Sequence, residues 1–340
     1  MTFVNNADTT PVSVHLPVRN GDPYFTESVE SILSQTFSEF ELVIVDHAST
    51  DETPKIIERF ANRDERVKPL RYEGENFIDA LNFGIKACSG EFIARMDADD
   101  LSDPERLEKQ VEFLRQNRKV GFVGSAVTIF GPDGVQGGYA RYEEWINTLI
   151  TPEEIRREMF VESPIPNPTV MMRRTVLENL GGYLDFGWPE DYDLYLRSLL
   201  AGVVVAKLPD RLLKWRDHSG RTTRTSGRYS RKNFLKVRAH YLSKFLEGRE
   251  IVIQGAGPTG RILGKFLIEF GANLKAYLDI NPNREGGTKL GLPVYPASRM
   301  SEFRGCILLS AVSSWGAREI IREEAKNRGF TEGVDFFCCS

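Results

Sequence analysis

The sequence has little cysteine and little histidine. Only four of its 340 residues are cysteines and four are histidines. The cysteines lack the paired spacing of a zinc site, and the adjacent Cys338 and Cys339 suit a structural disulfide poorly. This shortage excludes a disulfide-rich scaffold and a cysteine-rich zinc domain, and we expect reduced thiols.

The sequence also lacks a long hydrophobic run and a strong charge of either sign. No stretch is long and apolar enough to span a bilayer, and residues 1–11 are polar and do not resemble a signal peptide. The formal net charge of −4 gives no overall attraction to nucleic acid. We therefore expect a cytoplasmic protein that does not bind nucleic acid.

The first hundred residues have a regular alternation of strand and helix patterns. Short β-branched runs predict strands at 12–18, 41–46, 67–72 and 91–96, and amphipathic segments predict helices at 24–36, 52–61 and 77–87. Such βαβ units form a parallel sheet with right-handed crossovers and helices on both faces. In this α/β fold class, ligands bind at the carboxyl ends of the strands.

Three carboxylates follow the fourth predicted strand. Asp97, Asp99 and Asp100 stand close together in the sequence, and their charges repel one another unless a cation lies between them. Hard cations such as Mg²⁺ and Mn²⁺ prefer oxygen ligands, so the triplet predicts a divalent metal site with a phosphate-bearing ligand. The alternative is a solvated acidic turn before the next helix, with Asp103 as N-cap and Pro104 at the first helical position.

The pattern changes after residue 120. The sequence predicts an irregular strand-like segment at 120–140, helices at 152–160, 175–180 and 188–201, and strands at 169–173, 203–207 and 212–215. The helix at 188–201 opens with Pro189, Glu190 and Asp191. Two carboxylates at a helix start can be catalytic groups or ordinary first-turn residues that favour the helix dipole.

A basic segment, 226–249, follows this region. Phe234, Val237, Tyr241 and Phe245 have helical spacing among many arginines and lysines, so a helical connector is predicted. Such a helix can lie on an anionic membrane surface, as a peripheral contact at the inner face of the membrane. Alternatively, it packs its aromatic stripe on a domain while its charges stay solvated.

A second, smaller Rossmann-like α/β domain is predicted from residue 250. A strand at 251–254, a glycine-rich turn at Gly255, Gly257 and Gly260, a helix at 261–270 and a strand ending at Asp279 follow the order of a dinucleotide-binding fold. This segment resembles the small Rossmann-like domains of sugar-modifying enzymes, and we expect an accessory role. The predicted domains are therefore 1–225, 226–249 and 250–340.

Six segments, in order, resemble a family 2 glycosyltransferase, one of a large family of inverting enzymes that use nucleotide sugars. The matching segments are 31–37, 46–51, 94–100, 168–171, 181–183 and 190–194, and the resemblance covers residues 12–225. It implies a nucleotide-sugar-binding, Rossmann-like sheet of the glycosyltransferase A type.

The resemblance implies roles for residues that bind the nucleotide. Asp46 and His47 would contact the base or ribose, and Arg19 would stack on the base. The family often has a second aspartate where His47 stands and an aromatic residue near the position of Arg19. Both residues can therefore be rim residues instead.

The resemblance also implies a metal centre. The Asp97 and Asp99 pair would engage the ribose and a Mn²⁺ or Mg²⁺ ion, with Asp99 as the main ligand, and Arg95 of the same motif would help to bind the sugar donor. His218 matches a late basic motif that approaches the diphosphate or the metal. A lone histidine on a loop can equally be a surface residue.

The implied function is a metal-dependent inverting glycosyltransferase of hexosyltransferase type. In the family the Asp of the acidic motif is the catalytic base, which assigns that role to Asp191, with Glu190 beside it. The expected sugar donor is a UDP-sugar and the acceptor a hydroxyl of a glycan or lipid-linked glycan in polysaccharide biosynthesis. The alternatives are a catalytically inactive nucleotide-sugar-binding or regulatory protein, and an oxidoreductase that uses the C-terminal glycine turn.

Overall fold

The computed structural model describes residues 10–132, 134–135, 137–314 and 316–340. Contacts divide the chain into two compact units. The first contains residues up to 155, 165–185 and 201–225, and the second contains 156–164, 186–200 and 226–340. These compact units do not test the domain boundaries predicted at 225 and 249, which stay a prediction. Most of the polar N-terminal segment, 1–9, lies outside the described residues.

The first unit is built on one mixed sheet. Its strands are β1 (Val12–Val18), β2 (Phe40–His47), β3 (Val67–Tyr72), β4 (Phe92–Arg95), β5 (Leu101–Ser102), β6 (Val120–Phe130), β7 (Met171–Arg173) and β8 (Val204–Arg216). In the part of the chain that the structure describes, their order is β3-β2-β1-β4-β7-β6-β8-β5. The first four are parallel, as predicted, and β7 pairs antiparallel with both β4 and β6.

The helices of both units lie between the strands along the chain. The α-helices of the described residues are α1 (Phe25–Leu33), α2 (Thr53–Ala61), α3 (Phe77–Ala87), α4 (Arg106–Gln116), α5 (Gly138–Thr148), α6 (Pro152–Glu158), α7 (Arg174–Asn179), α8 (Glu190–Leu200), α9 (Thr222–Thr225), α10 (Arg231–Phe245), α11 (Pro258–Glu269) and α12 (Ala317–Asn327). The core of the first unit is buried between the sheet and its helices, and every residue of β1 is buried. A parallel strand covered on both faces is expected to be buried along its whole length, and in β1 this burial includes the polar residues Ser13 and His15.

The register of the parallel strands brings their carboxyl ends to one edge. Val18 lies opposite Asp46, and His15 lies opposite Arg95, so the loops after β1, β2 and β4 leave the sheet on the same side. This edge carries the residues predicted to bind the sugar donor.

One detail of the acidic-turn alternative and one local prediction were wrong. The helix after the acidic triplet begins at Arg106 with Glu105 as N-cap, not with Asp103 as N-cap. The reason is that β5 pairs with β8 and the Asp103 N–H donates to Leu212, which keeps the chain extended past residue 102. In addition, the segments 203–207 and 212–215 form one strand, β8, whose register shifts against β6.

The second unit contains a smaller α/β sheet. Its strands are β9 (Glu250–Gln254), β10 (Asn273–Asp279), β11 (Thr288–Lys289), β12 (Leu292–Pro296), β13 (Ile307–Ser310) and β14 (Phe336–Cys338). Within the described residues the order is β11-β12-β10-β9-β13-β14, parallel except for β11. Gly260 permits close packing here, because a Cβ atom would lie 1.8 Å from the Gly255 carbonyl oxygen. The predicted fold class, an α/β protein with a parallel-rich sheet plus a second, smaller α/β sheet, is confirmed.

The aromatic stripe of the predicted connector packs inside the second unit. Val237 and Tyr241 on α10 are buried, the ring of Phe234 lies 5.7 Å from that of Tyr192, and the ring of Phe245 lies 5.6 Å from that of Phe337. The packing of these side chains agrees with the alternative in which the segment packs its aromatic stripe on a domain. Among the described residues, no helix is both long enough and apolar enough to cross a bilayer.

Candidate active site

The acidic triplet forms a cluster with the geometry of a cation site. It occupies the loop after β4, and one carboxylate oxygen from each of Asp97, Asp99 and Asp100 lies within 4.8 Å of the others. Asp100 is buried, while Asp97 and Asp99 are half-buried. Three hard oxygen ligands at this spacing suit Mg²⁺ or Mn²⁺.

Asp100 contributes a buried carboxylate to the cluster. Its Oδ1 accepts a hydrogen bond of 2.8 Å from the Arg216 backbone N–H. Its Oδ2 is buried and has no hydrogen-bond partner among the described residues. Burial, with the adjacent charges of Asp99 and Asp97, raises the pKa of Asp100 well above its usual value. A cation would satisfy this oxygen and stabilise the ionised form.

Arginine side chains lie near the triplet. The Arg95 guanidinium lies 2.7 Å from Asp97 Oδ1, and Arg95 is only 3% exposed. Burial raises the pKa of Asp97, and the charges of Arg95 and Arg221 oppose that rise. The role of Arg95 in binding the sugar donor stays a prediction; in the structure its buried guanidinium pairs with Asp97.

His218 joins the triplet from a distant part of the sequence. Its Nε2 lies 2.9 Å from Asp99 Oδ2, and its ring lies 4.9 Å from that of Tyr24. The neighbouring Arg216 donates from Nε to the Asp99 carbonyl oxygen at 2.7 Å and lies 4.3 Å from the Tyr24 ring. The structure thus brings together Asp97, Asp99 and His218, which the sequence assigned to one metal centre, and His218 is not an isolated surface residue.

The predicted nucleotide residues lie at the ends of β1 and β2. Asp46 is buried; its Oδ1 accepts from the Ser49 N–H at 2.9 Å and its Oδ2 pairs with Arg71. His47 is also buried, and its Nε2 lies 2.8 Å from the Gly74 carbonyl oxygen. Because a carbonyl only accepts, this nitrogen carries the proton. Arg19 is exposed just after β1.

Hydrogen bonds join the loops that follow β1 and β2. The Asn20 N–H donates to Ser49 Oγ at 2.9 Å, and Asn20 Oδ1 accepts from the Thr50 N–H at 2.8 Å. Asn20 and Ala48 both have left-handed backbone conformations, with φ of 52° and 49°. Asparagine tolerates this region better than most residues, which helps to explain Asn20 at the turn beside Arg19.

The predicted acidic motif opens α8 in the second unit. Asp191 is half-buried, and its Oδ1 accepts from the Tyr192 N–H at 2.7 Å. Glu190 is buried and accepts from the Tyr229 hydroxyl, with 2.8 and 2.9 Å to its two carboxylate oxygens. The contact of Asp191 with a first-turn N–H is compatible both with helix capping and with a base held ionised by the helix dipole.

In the second unit, the Asp279 carboxylate is hydrogen-bonded to residues of the same unit, one of them in the glycine-rich turn. Asp279 follows the turn as the ribose-binding carboxylate of a dinucleotide fold would. Its Oδ2 accepts from the Ala256 N–H at 2.7 Å and from Arg284 at 2.8 Å, and its Oδ1 accepts from the Asn281 N–H at 2.8 Å. These contacts favour a structural role for Asp279 over ribose binding.

Comparison with known proteins shows similarity over about two thirds of the chain. The sequence model of Glycosyl transferase family 2 matches residues 13–181. The chain is 35% identical to the putative glycosyltransferase EpsE of Bacillus subtilis, over 66% of this chain and 80% of EpsE. It is 32% identical to the O-antigen biosynthesis glycosyltransferase WbnJ of Escherichia coli, over 67% of this chain and 90% of WbnJ.

The chain belongs to glycosyl transferase family 2. The family resemblance read from the sequence is therefore confirmed. Among solved structures, the fold of this family 2 glycosyltransferase is similar to S. aureus TarS 1-349 in complex with UDP-GlcNAc. The TM-score is 0.57 at 21% identity, over 76% of this chain and 71% of that chain. This likeness supports the fold.

Several residues that contact the predicted site residues of this glycosyltransferase were not identified from the sequence. Arg216 contacts Asp99 and Asp100, Arg106 donates to the Arg95 carbonyl oxygen, and Tyr229 contacts Glu190. For Arg216 a signal was present, because it lies in the same basic motif as His218. Arg106 and Tyr229 carry no local signal, since each contacts the site only through the folded chain.

We expect Arg106→Met to destabilise this glycosyltransferase by about 3 kcal/mol, because it removes a buried cation that interacts electrostatically with Asp100 and Asp97. Arg106 is fully buried and donates to the Arg95 carbonyl oxygen at 2.6 Å. Burial lowers the pKa of Arg106 to about 9, and the charges of Asp100 and Asp97 oppose that fall. Urea unfolding measures the change. The control is Arg118→Met, on the exposed Arg118, which should change stability by less than about 0.5 kcal/mol; equal effects of the two variants would contradict the role of Arg106.

Proposed function

We propose that this family 2 glycosyltransferase is a metal-dependent inverting enzyme of hexosyltransferase type. It moves a sugar from a nucleoside diphosphate, with UDP as the expected nucleotide, to a hydroxyl of a glycan or lipid-linked acceptor in polysaccharide biosynthesis. The observation that carries the proposal is the convergence of the triplet and His218 at the carboxyl edge of the sheet, with the buried Asp100 Oδ2 unsatisfied among the described residues.

The residues at this edge fit a Mn²⁺ or Mg²⁺ ion. Asp99, Asp97 and His218 are the expected ligands, and Asp100 is a further candidate because of its unsatisfied oxygen. When bound, a divalent cation supplies positive charge that stabilises the diphosphate leaving group. Arg216 holds the loop by its contacts with the Asp99 carbonyl oxygen and the Asp100 carboxylate.

The ends of β1 and β2 would bind the nucleoside. Asp46 is held in place by Ser49 and Arg71, and the His47 ring lies near those of Tyr72 and Phe77, with ring centroids at 5.8 and 6.5 Å. With Nε2 donating to Gly74, the Nδ1 atom of a neutral His47 ring would be an acceptor for a base or ribose. Arg19, exposed at the same edge, supplies a planar cation that can stack on the base.

Asp191 would act as the base. It takes the proton of the acceptor hydroxyl while that oxygen forms a bond to the anomeric carbon and the bond from this carbon to the diphosphate oxygen breaks. The Tyr192 N–H and the helix dipole favour ionised Asp191, while the charge of Glu190 opposes ionisation. A single displacement of this kind inverts the configuration at the anomeric carbon.

Two of the similar proteins favour this setting. WbnJ is named as an O-antigen biosynthesis enzyme, and the TarS structure contains UDP-GlcNAc. These names make a glycan acceptor and a UDP-sugar the first substrates to test. A peripheral membrane contact through 226–249 stays a prediction that would suit a lipid-linked acceptor.

The proposal is tested by incubating the full chain with a panel of UDP-, GDP- and dTDP-sugars, with Mn²⁺ or with EDTA. We expect release of UDP from at least one UDP-sugar with Mn²⁺ and its loss with EDTA, because the triplet needs a cation to hold a diphosphate. Full turnover in EDTA would contradict metal dependence. Binding of a nucleotide sugar without hydrolysis or transfer to any glycan acceptor would favour the inactive, nucleotide-sugar-binding alternative.

A further inference from the structure

A short segment of the second unit, residues 226–233, holds the start of the proposed catalytic helix. Arg228 donates to the Trp188 carbonyl oxygen at 2.8 Å, and the Asn233 amide donates to the Gly187 carbonyl oxygen at 3.2 Å. Both acceptors lie just before α8, at the turn that leads into Glu190. The segment therefore fixes the backbone from which the acidic motif projects.

Tyr229 of the same segment contacts the acidic motif directly. Its hydroxyl lies 2.8 and 2.9 Å from the two carboxylate oxygens of Glu190. A phenol has one proton to donate, so the two oxygens share it. Burial, together with the charges of Glu190 and Asp191, raises the pKa of Tyr229 well above its usual value. The phenol therefore stays protonated and remains a hydrogen-bond donor.

We propose that Tyr229 is a positioning residue for catalysis, which holds the Glu190 carboxylate in place so that the adjacent Asp191 acts as the base. This inference rests on the proposed function. Glu190 is only 3% exposed, and a buried carboxylate needs a hydrogen-bond donor. Neither the sequence motif nor the family match assigns a role to Tyr229, which lies 39 residues from Glu190 in the chain.

Loss of the hydroxyl should act on Asp191 through Glu190. Without it, Glu190 either turns toward another donor or keeps its charge without this partner, and both outcomes change the field and the space around Asp191. Misplacement of a catalytic group by a fraction of an ångström to about 1 Å lowers the rate by up to about 100-fold. The sugar donor would be bound by residues of the first unit, so its KM should change little.

The helix offers a matched control. The Tyr241 hydroxyl donates to Asp193 Oδ1 at 2.7 Å, so it is also a phenol that contacts a carboxylate on α8. Asp193 retains contacts with Trp188 Nε1 at 2.9 Å and Arg197 Nε at 2.8 Å when that phenol is removed. Tyr241→Phe therefore tests the same loss of a hydroxyl on the same helix, away from the acidic pair.

The experiment compares kcat and KM for Tyr229→Phe, Tyr241→Phe and wild type, with thermal unfolding of each. We expect kcat to fall at least about 10-fold for Tyr229→Phe, with the KM of the sugar donor within about twofold. Tyr241→Phe should keep kcat within about twofold of wild type. Both variants should retain a cooperative unfolding transition, because phenylalanine keeps the ring.

A second pair of variants separates positioning from packing. Glu190→Gln removes the charge that the Tyr229 hydroxyl stabilises. If the hydroxyl acts through that carboxylate, Tyr229→Phe should lower kcat by less than about threefold in the Glu190→Gln background, since residues that act through one contact are not additive. A packing role predicts the same loss in both backgrounds.

Each outcome decides the inference. Equal kcat values for Tyr229→Phe and Tyr241→Phe, with an active wild type and an inactive Asp191→Asn variant, would overturn the role of Tyr229 and leave the proposed function intact. Loss of the folded state in Tyr229→Phe would likewise overturn it in favour of a structural role. A wild-type chain that transfers no sugar, or an Asp191→Asn variant with full turnover, would overturn the proposed function and this inference with it.

Discussion

Asp191→Asn is expected to lower kcat of sugar transfer by about 1,000-fold, the usual scale for loss of a general base. Asparagine has nearly the same shape as aspartate and keeps an oxygen that can accept from the Tyr192 N–H, so the start of α8 should be preserved. What is lost is the ability to take a proton from the acceptor hydroxyl. Steady-state kinetics with the best sugar donor and acceptor measure kcat, and calorimetric titration measures the Kd of the sugar donor.

The Kd of the sugar donor should stay within about twofold of wild type, because the base contacts the acceptor rather than the nucleotide. The matched control is Asp210→Asn, which makes the same chemical change at a half-exposed residue paired with Lys109 at 2.7 Å. That variant should keep full activity. If Asp191→Asn kept full turnover, the base would have to be another group, and the capping alternative for Glu190 and Asp191 would be favoured.

The order of strands and helices in the first unit could be predicted from the sequence, because local signals fix it. The strands at 12–18 and 67–72 and the helix at 77–87 have the predicted bounds. Each is marked by a run of one periodicity ended by polar or glycine residues. The acidic triplet was located for the same reason: it directly follows a short apolar strand, so its position at the edge of the sheet follows from the strand itself.

The parts that were missed depend on contacts between distant residues. The antiparallel strand β5 has only two residues and exists because it pairs with β8, more than 100 residues away. Likewise, the hydrogen bond from the Arg216 N–H to Asp100 joins residues 116 positions apart. A periodic pattern reports which face of an element is apolar, but it does not report which distant side chain meets it. Asp100 was recognised as part of the triplet, but its unsatisfied oxygen could only be found in the fold.

Asp99→Asn is expected to weaken Mn²⁺-dependent binding of the sugar donor by at least about 100-fold, the upper range for changes around a bound metal. Asp99 is the expected main ligand, and its carboxylate lies 2.9 Å from His218 Nε2, the other expected ligand. An amide is a neutral, weaker ligand than a carboxylate for a hard cation. The effect should vanish in EDTA, where wild type and variant should bind the sugar donor equally weakly. Calorimetric titrations of a UDP-sugar with Mn²⁺ and with EDTA measure both.

The control for Asp99→Asn is Asp103→Asn, four residues further along the same loop. Asp103 Oδ1 accepts from the Glu105 N–H at 3.0 Å and lies outside the cluster of three carboxylates, so this variant should bind Mn²⁺ and the sugar donor as wild type does. Electron paramagnetic resonance of free Mn²⁺ provides a second readout that needs no nucleotide. If Asp99→Asn bound Mn²⁺ and the sugar donor with wild-type affinity, other residues would have to be the main metal ligands. A main ligand that loses its charge must bind the ion more weakly.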